Sequence, residues 1–300
     1  MKEASASAHS VDTLSRMDVD EIRKTVVIAM FSDSVLMDRL VLKGGNALSL
    51  VHKLGLRSSV DVDFSIADDF EDLADTERRI FKALEDRFDS AGFNVFDKRF
   101  RKKPEVLSAR HGPQWGGYLV EFKIIEKSKS VALGGDVEAM RRNATVIGER
   151  QGKTFSIDIS KFEFCEGKQE AELSHYTVYV YSPEMVAMEK LRAICQQMDE
   201  YPLRSHPRPR ARDFYDIHTI ITGKGLKFEN AESLELLQNI FKAKDVPVGF
   251  LGKIRGTQEF HAADWDSVRS TTGGKLHPFS FYFDFVVTLS EDLLQALGVE

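Results

Sequence analysis

Two neighbouring segments, Lys43–Leu48 (KGGNAL) and Arg57–Phe64 (RSSVDVDF), carry the strongest structural signal in the chain. In the second segment, polar and apolar residues alternate around Asp61 and Asp63, and this alternation predicts a β-strand. Successive side chains of a strand point to opposite faces, so the two carboxylates share one face while the apolar residues face a core. Two neighbouring carboxylates repel each other unless a cation lies between them. The pattern therefore predicts a site for Mg²⁺ or a similar hard divalent cation, which binds oxygen ligands and holds nucleotide phosphates with its remaining positions.

The glycine pair in the first segment predicts a turn that lies close to a phosphate. Gly44 and Gly45 let the backbone approach a ligand closely, and the segment that follows, Asn46–Leu54, has a helical pattern whose N-terminus attracts anions. Arg57 and Ser59 add a positive charge and a hydroxyl group for phosphate oxygens. A glycine pair or an Asp-x-Asp alone is weak evidence, whereas the two in this order and spacing favour a nucleotide site.

The composition is that of a globular protein with a sizeable core. Of the 300 residues, 42% are hydrophobic and 29% are charged, and the net charge is −6. This acidic balance argues against a protein that coats nucleic acid through excess Lys and Arg, so contact with RNA or DNA requires a local basic patch. Cys165 and Cys195 lie far apart without metal-ligand spacing, which predicts two reduced thiols. The absence of a long apolar run and of a secretory signal predicts a soluble, cytoplasmic protein with no membrane partner.

The periodicity of the chain predicts an α+β fold in two domains. Residues 1–16, rich in Ser and Ala, predict a flexible tail. Residues 17–181 mix helices with strands and predict a mixed β-sheet domain flanked by helices. Residues 182–300 predict a mainly helical C-terminal domain. The predicted helices of the sheet domain cover 11–38, 46–54 and 75–91, and its strands cover 61–65, 118–124, 155–160 and 177–181.

Two helical segments of the C-terminal part carry charged residues near their apolar sides. Ser182-Pro183-Glu184 is typical of a helix start, and in the helix that follows Lys190 lies at the border of the apolar stripe. Its ammonium group either reaches a cleft or lies in water with the stem on apolar surface. Glu189 lies opposite the stripe, which predicts a solvent-exposed side chain. In a second helix, which starts at Arg212–Asp216, Asp213 points toward the buried side, either as a cap of the first turn or as a functional group.

Together these segments resemble the motifs of the AbiEii/AbiGii family of bacterial nucleotidyltransferase toxins, part of the DNA polymerase β-like superfamily. K-G-G-x-A-L followed by R-x-S-x-D-x-D is similar to the family's first motif, with Asn46 where the family usually has Thr or Ser. Glu189–Ala193 (EKLRA), a basic linker and Arg212–Asp216 (RDFYD) are similar to its later motifs. The resemblance implies that residues 17–181 form a nucleotidyltransferase-type sheet domain and that residues 182–300 complete the active site. It also implies catalytic roles for Asp61, Asp63, Lys190 and Asp213, and nucleotide binding by Lys43, Gly44, Gly45, Asn46, Arg57 and Ser59.

The resemblance also implies a third metal-binding acid from a neighbouring strand, and two residues compete for this role. In Phe155–Ser160 the apolar residues face one way and Asp158 the other, so Asp158 can reach the same cleft. Glu121, in the preceding strand, is the rival. Asp158 is favoured because Ile-Asp-Ile just before the helical region follows the family's order. The predicted metal ligands are therefore Asp61, Asp63 and Asp158, with Mg²⁺ or Mn²⁺ as the ion.

The resulting hypothesis is a magnesium-dependent nucleotidyltransferase that moves a nucleoside monophosphate from an NTP to an acceptor. The resemblance implies RNA as the acceptor, with transfer RNA 3′ ends known among relatives, and a role as the toxin of a toxin–antitoxin or phage-defence system with a cognate antitoxin. Two basic segments, Arg99–Lys103 and Arg204–Arg212, either contact RNA or are solvated charge runs. The alternatives are a nucleotidyltransferase for a small molecule such as an antibiotic, and a non-catalytic nucleotide-binding module.

Overall fold

The computed structural model describes residues 17–54, 61–106, 115–147, 152–203, 206–228, 230–272 and 276–299. The tail predicted over residues 1–16, the nucleotide-binding candidates Arg57 and Ser59, and Arg204 of the second basic segment lie outside these described residues. Within them, a seven-stranded mixed sheet is flanked by helices and followed by a mainly helical C-terminal region. The predicted fold class is confirmed.

The sheet combines parallel and antiparallel strands. Its strands are β1 Val41–Lys43, β2 Val62–Ser65, β3 Phe93–Lys103, β4 Gly117–Glu126, β5 Phe155–Ser160, β6 Gln169–Leu173 and β7 Tyr176–Val180. They lie in the order β3-β4-β5-β2-β1-β7-β6. Strand β2 is antiparallel to β1 and parallel to β5, and β1 is parallel to β7. The strand that carries the acidic motif therefore lies at the centre of the sheet, with a neighbour on each side.

Helices account for most of the remaining described residues. They are α1 Val19–Ser32, α2 Ser34–Arg39, α3 Gly44–Asn46, α4 Leu73–Ser90, α5 Lys127–Ala132, α6 Val137–Asn143, α7 Pro183–Cys195, α8 Ala211–Lys224, α9 Ala231–Lys242, α10 Gln258–Ala262, α11 Trp265–Thr271 and α12 Phe279–Leu297. A π-helical turn covers Ala47–Val51 and 3₁₀ turns cover Val248–Thr257. In the part of the chain that the structure describes, no helix combines the length and the apolar character needed to cross a membrane.

Helices α1 and α4 pack against the sheet and form its core. Val62 and Phe64 of β2 and Ile157 and Ile159 of β5 are fully buried in this core. Helix α1 begins after Asp18, whose carboxylate accepts the N–H of Glu21, a hydrogen bond that satisfies a free donor of the first turn. Because alternate residues of β2 and β5 point into this core, the residues between them face the other side of the sheet.

Helices α7, α8, α9 and α12 form a second core in the C-terminal part. It contains Met188 and Leu191 of α7, Phe214 of α8 and Phe283 of α12. Helix α7 begins at Pro183 after the hydroxyl cap of Ser182, which accepts the N–H of Met185 at 3.1 Å. On the basis of this change of core, we propose to keep the domain boundary between residues 181 and 182.

Both cysteines are free thiols buried in the second core. Cys195 is fully buried and Cys165 is 8% exposed. Burial raises the pKa of Cys165 to about 12 and raises that of Cys195 as well. Neither thiol is therefore reactive near neutral pH, because the thiolate is the nucleophile.

Three local predictions differ from the structure. The helix predicted over residues 11–38 is interrupted at Asp33, whose carboxylate accepts the N–H of Leu36 at 3.0 Å and so starts α2. The helix predicted over residues 46–54 is a π-helical turn that continues α3. The sequence pattern does not predict strands β3 and β6, because both are sheet edges with charged, largely exposed side chains in place of a regular alternation.

Candidate active site

A row of charged side chains crosses three adjacent strands on the sheet face opposite the first core. Lys43 of β1 is directly paired with Asp63 of β2, and Asp63 is directly paired with Asp158 of β5. Paired residues on neighbouring strands, which are about 4.8 Å apart, project to the same face. The strand register therefore brings two predicted metal ligands and a predicted nucleotide-binding lysine side by side.

The alternative third acid, Glu121, lies farther along β4 from this row. Its carboxylate contacts Arg101 at 2.7 Å. Leu119, and not Glu121, is the β4 residue paired with Asp158. The structure thus places Asp158 next to the Asp-x-Asp strand, and metal binding by Asp158 stays a prediction.

The position of Asp61, just before β2, depends on Asn46. The amide nitrogen of Asn46 donates a hydrogen bond to the backbone carbonyl of Asp61 at 2.6 Å, and the Asn46 side chain is fully buried. Its amide oxygen is buried without a hydrogen-bond partner among the described residues. Asn46 therefore holds the segment that carries the first aspartate, and its binding of a nucleotide stays a prediction.

Because Gly44 has no side chain, the carboxylate of Asp63 can occupy the space beside its Cα atom. The φ of +66° at Gly44 is a left-handed conformation that side chains disfavour. A Cβ atom at this position would also lie 2.8 Å from Oδ2 of Asp63, which is too close for two non-bonded atoms. Gly45 follows within the short helix α3. The backbone therefore approaches the acidic strand closely at Gly44, while phosphate contact by the pair stays a prediction.

Burial and the repulsion from neighbouring acids raise the pKa of Asp61 and of Asp63. Burial is the largest cause for Asp63, whose pKa rises to about 7, and the charges of Asp158 and Asp61 add to the rise while Lys43 opposes it. Burial and Asp158 also raise the pKa of Asp61, against the effect of Lys103. Excess negative charge at this point of the sheet favours a neighbouring cation.

Lys190 lies on the opposite wall, between two aspartates of α8. Its Nζ donates hydrogen bonds to Oδ1 of Asp213 and to Oδ2 of Asp216, both at 2.8 Å. Burial lowers the pKa of Lys190, but the charges of Asp213 and Asp216 outweigh it and the net pKa is raised. Lys190 therefore stays protonated at neutral pH. The ammonium group of Lys190 therefore reaches a cleft, which is one of the two alternatives for a lysine at the border of the apolar stripe of α7.

Asp213 connects Lys190 to the basic segment that precedes α8. Its Oδ2 lies 2.7 Å from Nε of Arg210. Burial raises the pKa of Asp213, but Arg210 and Lys190 outweigh burial and the net pKa is lowered. At the start of α8, the N–H of Ala211 is accepted by the carboxylate of Asp264 at 3.0 Å, and Arg210 makes no side-chain cap hydrogen bond. The carboxylate of Asp213 thus belongs to a charged cluster and does not cap the helix.

The two walls enclose a cleft with a volume of about 470 Å³. Predicted site residues that line it are Lys43, Gly44, Asp63, Asp158, Lys190 and Asp213. Lys103 of the first basic segment and Arg210 of the second also line it, so two segments that are distant in sequence border the same cleft. Lys103 forms an ion pair with Asp158. Asp61 lies outside the lining, at an exposed position before β2.

A buried charge network forms part of the cleft wall. The carboxylate of Glu163, 3% exposed, contacts Arg192 at 2.8 Å, Lys244 at 3.5 Å and Lys43 at 3.6 Å. Glu189 contacts Lys43 at 2.6 Å and Arg192 at 3.4 Å. The prediction of a solvent-exposed Glu189 is therefore wrong: its side chain is 14% exposed and packed between two cations.

Sequence reasoning missed most of this network. The i, i+3 spacing of Glu189 and Arg192 within α7 is a usable signal, because residues at that spacing are neighbours on a helix. No local pattern identifies Glu163 or Lys244, which lie in connecting segments and meet their partners only through the tertiary fold. Asp216 is part of the Arg-Asp-Phe-Tyr-Asp motif, but its helical position alone does not reveal its contact with Lys190.

The oxygen donors on the sheet suit a hard divalent cation in kind. Asp61, Asp63 and Asp158 supply carboxylates, and the charges of Asp158 and Asp61 add to the burial that raises the pKa of Asp63. Among the residues that the structure describes, no three His, Cys, Asp or Glu side chains are arranged as a ready-made metal site. Binding of a cation therefore requires these carboxylates to move closer together and Asp158 to loosen its contact with Lys103.

Acids on a central strand of a mixed sheet and a lysine across a cleft are the arrangement that the resemblance to nucleotidyltransferases implies. The family model described as "Nucleotidyl transferase AbiEii toxin, Type IV TA system" matches residues 26–285. The chain therefore belongs to the AbiEii nucleotidyl transferase toxin family. The resemblance inferred from the motifs is confirmed.

Two solved structures are similar to this chain over most of its length. MenT4, a nucleotidyltransferase toxin from Mycobacterium tuberculosis, is 15% identical with a TM-score of 0.50, and the match covers 92% of this chain and 82% of that one. JHP933 from Helicobacter pylori is 17% identical with a TM-score of 0.47, over 95% and 98% of the two chains. A search of curated proteins finds no match. At these identities, the likeness to MenT4 supports the fold alone.

Proposed function

We propose that the protein is a cytoplasmic toxin that transfers a nucleoside monophosphate from an NTP to RNA, with the 3′ end of transfer RNA as the acceptor. The observation that carries this proposal is the convergence of Asp63, Asp158 and Lys190 on one cleft. Membership of a nucleotidyl transferase family of type IV toxin–antitoxin systems supports the reaction class and a cognate antitoxin as partner.

In the proposed reaction, a hydroxyl oxygen of the acceptor attacks the α-phosphorus of the NTP. A new P–O bond forms, the bond to pyrophosphate breaks, and the hydroxyl proton is released to solvent. Negative charge increases on the phosphate oxygens during this step, so positioning and charge stabilisation dominate catalysis. Lys190 supplies a fixed positive charge, because Asp213 and Asp216 keep it protonated and hold it in place.

Asp61, Asp63 and Asp158 are the residues that would hold Mg²⁺ or Mn²⁺. A divalent cation, when bound, neutralises phosphate charge and activates the attacking oxygen. The chain itself contributes the strand register that places Asp63 beside Asp158, and the glycine that leaves room for the Asp63 carboxylate.

The charge of the cleft favours a polyanionic substrate. Six basic and five acidic side chains line it, so the cleft is positive although the whole chain carries −6. Lys43, Arg192 and Lys244 supply buried positive charge next to the acidic row. This is the local excess of basic residues that an acidic protein needs in order to bind phosphates.

The basic residues outside the cleft favour RNA over a small acceptor. Arg101, on the same face of β3 as the cleft residue Lys103, and Arg208, two residues before the cleft residue Arg210, are both exposed. Basic side chains therefore continue outward from the cleft on two sides. A small acceptor would need none of them, whereas an RNA backbone contacts several such cations.

The test incubates the protein with Mg²⁺, each of the four labelled NTPs, total RNA and purified transfer RNA. We expect label from a preferred NTP to enter RNA, and Asp63→Asn and Lys190→Met to reduce transfer by about 100-fold or more. Glu291→Gln, at a surface ion pair with Arg255, is the control that should keep full activity. Label found only in small molecules, or NTP binding without any transfer, would contradict the proposal.

A further inference from the structure

One side of α7 lines the cleft along its whole length. Val186, Glu189, Lys190, Ala193 and Gln196 recur at intervals of three and four residues and all face the cleft. Glu189 and Lys190 lie in the middle of this set, and Ala193 and Gln196 follow toward the C-terminus of the helix, where Arg192 also lines the cleft. Lys190 and Gln196 are separated by roughly 9 Å along the helix axis. The charged end of the cleft, at Lys190 and the acidic row, is therefore about one nucleoside away from Gln196.

Trp115, just before β4, lies near Gln196, because both contact Tyr201. Its half-buried indole lines the cleft and packs against Tyr201, with ring centroids 6.2 Å apart and planes inclined by 44°. The hydroxyl of Tyr201 donates to the backbone carbonyl of Lys244 at 2.8 Å and accepts a hydrogen bond from the amide of Gln196 at 3.2 Å. Tyr201 is 2% exposed. The buried tyrosine thus fixes the indole and the amide relative to each other.

We propose that Trp115 and Gln196 form the nucleobase subsite of the cleft, in which the base of the NTP stacks on the indole and its edge bonds to the amide. This inference rests on the proposed nucleotidyl transfer and extends it to base recognition. An aromatic ring binds any nucleobase through its face, and a glutamine amide offers both a donor and an acceptor to a base edge. Trp115 supplies affinity, and Gln196 supplies the choice between bases.

The position of the subsite agrees with the order of groups in a nucleotide. The phosphates lie at the charged end, between Lys190 and the acidic row, and the base lies at Trp115, with the ribose between them. The cleft volume of about 470 Å³ is in the range of sites that enclose a small molecule. The cations that would bind an RNA backbone, Lys103 and Arg210, line the cleft as well, so one cleft holds both donor and acceptor.

The two tryptophans of the chain permit a direct test of stacking. Trp265 is 9% exposed and packs against Phe279 and Tyr282, outside the cleft lining. In Trp265→Phe, the fluorescence comes from Trp115 alone. We expect each bound NTP to quench this fluorescence, whereas inorganic triphosphate, which has no base, should bind without quenching. Calorimetry on the same samples measures binding independently of fluorescence.

Substitutions separate the role of each residue. Trp115→Ala should weaken NTP binding about tenfold, the size expected when one stacking interaction is removed, and leave the affinity for inorganic triphosphate unchanged. Trp115→Phe should retain most of the NTP affinity, because a ring remains. Gln196→Leu should alter the relative affinities for the four NTPs while quenching persists. Phe281→Ala, which removes an exposed aromatic ring outside the cleft, is the control.

The outcomes distinguish this inference from the proposed function. NTP binding by calorimetry without quenching, with equal affinity in Trp115→Ala, would overturn the subsite and leave nucleotidyl transfer standing. Quenching by transfer RNA but not by NTPs would overturn it too, because the indole would then stack on the acceptor. Absence of NTP binding at any concentration would overturn the proposed function and the subsite with it.

Discussion

Gly44 and Gly225 share a left-handed backbone conformation, with φ of +66° and +61°, but differ in their surroundings. A Cβ on Gly44 would lie 2.8 Å from Oδ2 of Asp63, whereas a Cβ on Gly225 would meet nothing within 4 Å. Both alanine variants should lose about 1 kcal/mol of unfolding free energy, because L-residues are strained in this region. Only Gly44→Ala should also lose transferase activity, since the added methyl group displaces the Asp63 carboxylate. Denaturant unfolding and NTP-transfer assays of both variants check this, and equal activities would contradict it.

The raised pKa of Asp63 leads to a prediction about pH and stability. Its folded pKa of about 7 is above the ordinary value of 3.8, so the folded protein binds this proton more tightly than the unfolded chain. Ionisation of Asp63 therefore lowers stability as the pH rises from about 4 to about 7. Asp63→Asn should remove this loss, and its advantage over the wild type should grow by up to about 1.4 kcal/mol per pH unit in that window. Denaturant unfolding at pH 5 and pH 8, in the presence of EDTA, measures the difference.

Asp69 is the matching control, because the shift of its pKa has the opposite sign. Burial raises the pKa of Asp69, but hydrogen bonds from Lys161 and Tyr118 outweigh burial and the net pKa is lowered. Ionised Asp69 therefore stabilises the fold at neutral pH, and Asp69→Asn should lower the unfolding free energy at pH 8. If Asp63→Asn changes the unfolding free energy by the same amount at pH 5 and at pH 8, the ionisation of Asp63 does not destabilise the fold and this prediction is wrong.

Individual site residues can be predicted from the sequence when their partners are close along the chain or when the residues belong to a family motif. Asp63, Lys190 and Asp213 were accessible in this way, and the structure places them around one cleft, where their catalytic roles stay predictions. Glu163 could not be predicted, because its three cations come from β1, from α7 and from the segment after α9. Asn46 could be predicted to lie near the site, but its hydrogen bond to the backbone carbonyl of Asp61 could not.

At the level of secondary-structure elements, the buried carboxylate of Glu163 connects the sheet to the helical C-terminal part through its ion pairs. Glu163→Gln removes the charge that offsets Lys43, Arg192 and Lys244, and leaves buried cations without compensation. Removing one partner of a buried ion pair costs about 3–5 kcal/mol, and we expect a loss of unfolding free energy in that range. Chemical denaturation measures it.

Glu291→Gln removes the same charge from a surface pair and serves as the control. Its distance to Arg255 is 2.6 Å, but the two side chains are 51% and 67% exposed, and such pairs contribute less than about 1 kcal/mol. A comparable loss in the two variants would show that Glu163 has no special role in joining the elements.

The elements were predictable where an apolar alternation or a helical repeat faces a core. Strands β2 and β5 and helices α4 and α7 meet this condition. The edge strands β3 and β6 do not meet it, because one or both of their faces are solvated. Their charged side chains replace the alternation of apolar and polar residues that indicates a strand. The break between α1 and α2 depends on one hydrogen bond to Asp33, which competes locally with helix continuation.

For the whole molecule, the contrast between an acidic chain and a basic cleft leads to a prediction about salt. Arg101→Glu combined with Arg208→Glu should weaken transfer RNA binding and reduce the slope of log affinity against log salt by about one for each phosphate that the protein no longer neutralises. Binding titrations over a range of KCl concentrations measure the slope. Both residues lie outside the cleft lining, so NTP binding should be unchanged.

Arg255→Glu combined with Arg269→Glu changes the net charge by the same amount at exposed positions away from the cleft lining. This pair should leave the salt slope as in the wild type. If both pairs weaken RNA binding equally, net charge and not a defined path governs the interaction, and the RNA surface proposed here is wrong.

The overall architecture was predictable because composition, periodicity and family motifs agree on it. The mixed sheet and the helical C-terminal region follow from the change of period after Tyr181, and the fold class is confirmed. The way in which α7 and α8 face the acidic row could not be predicted, because it depends on packing between distant segments. The domain boundary is a proposal that rests on the two separate cores.

The burial of Cys165 and Cys195 has a practical consequence for mapping the path of a bound polynucleotide. With both native thiols buried and protonated, a cysteine introduced at position 101 or 208 would be the group that a maleimide reagent modifies first. A photoactivatable crosslinker attached there would mark the nucleotides that pass over it. The wild-type chain serves as its own unlabelled reference, without removal of either natural cysteine.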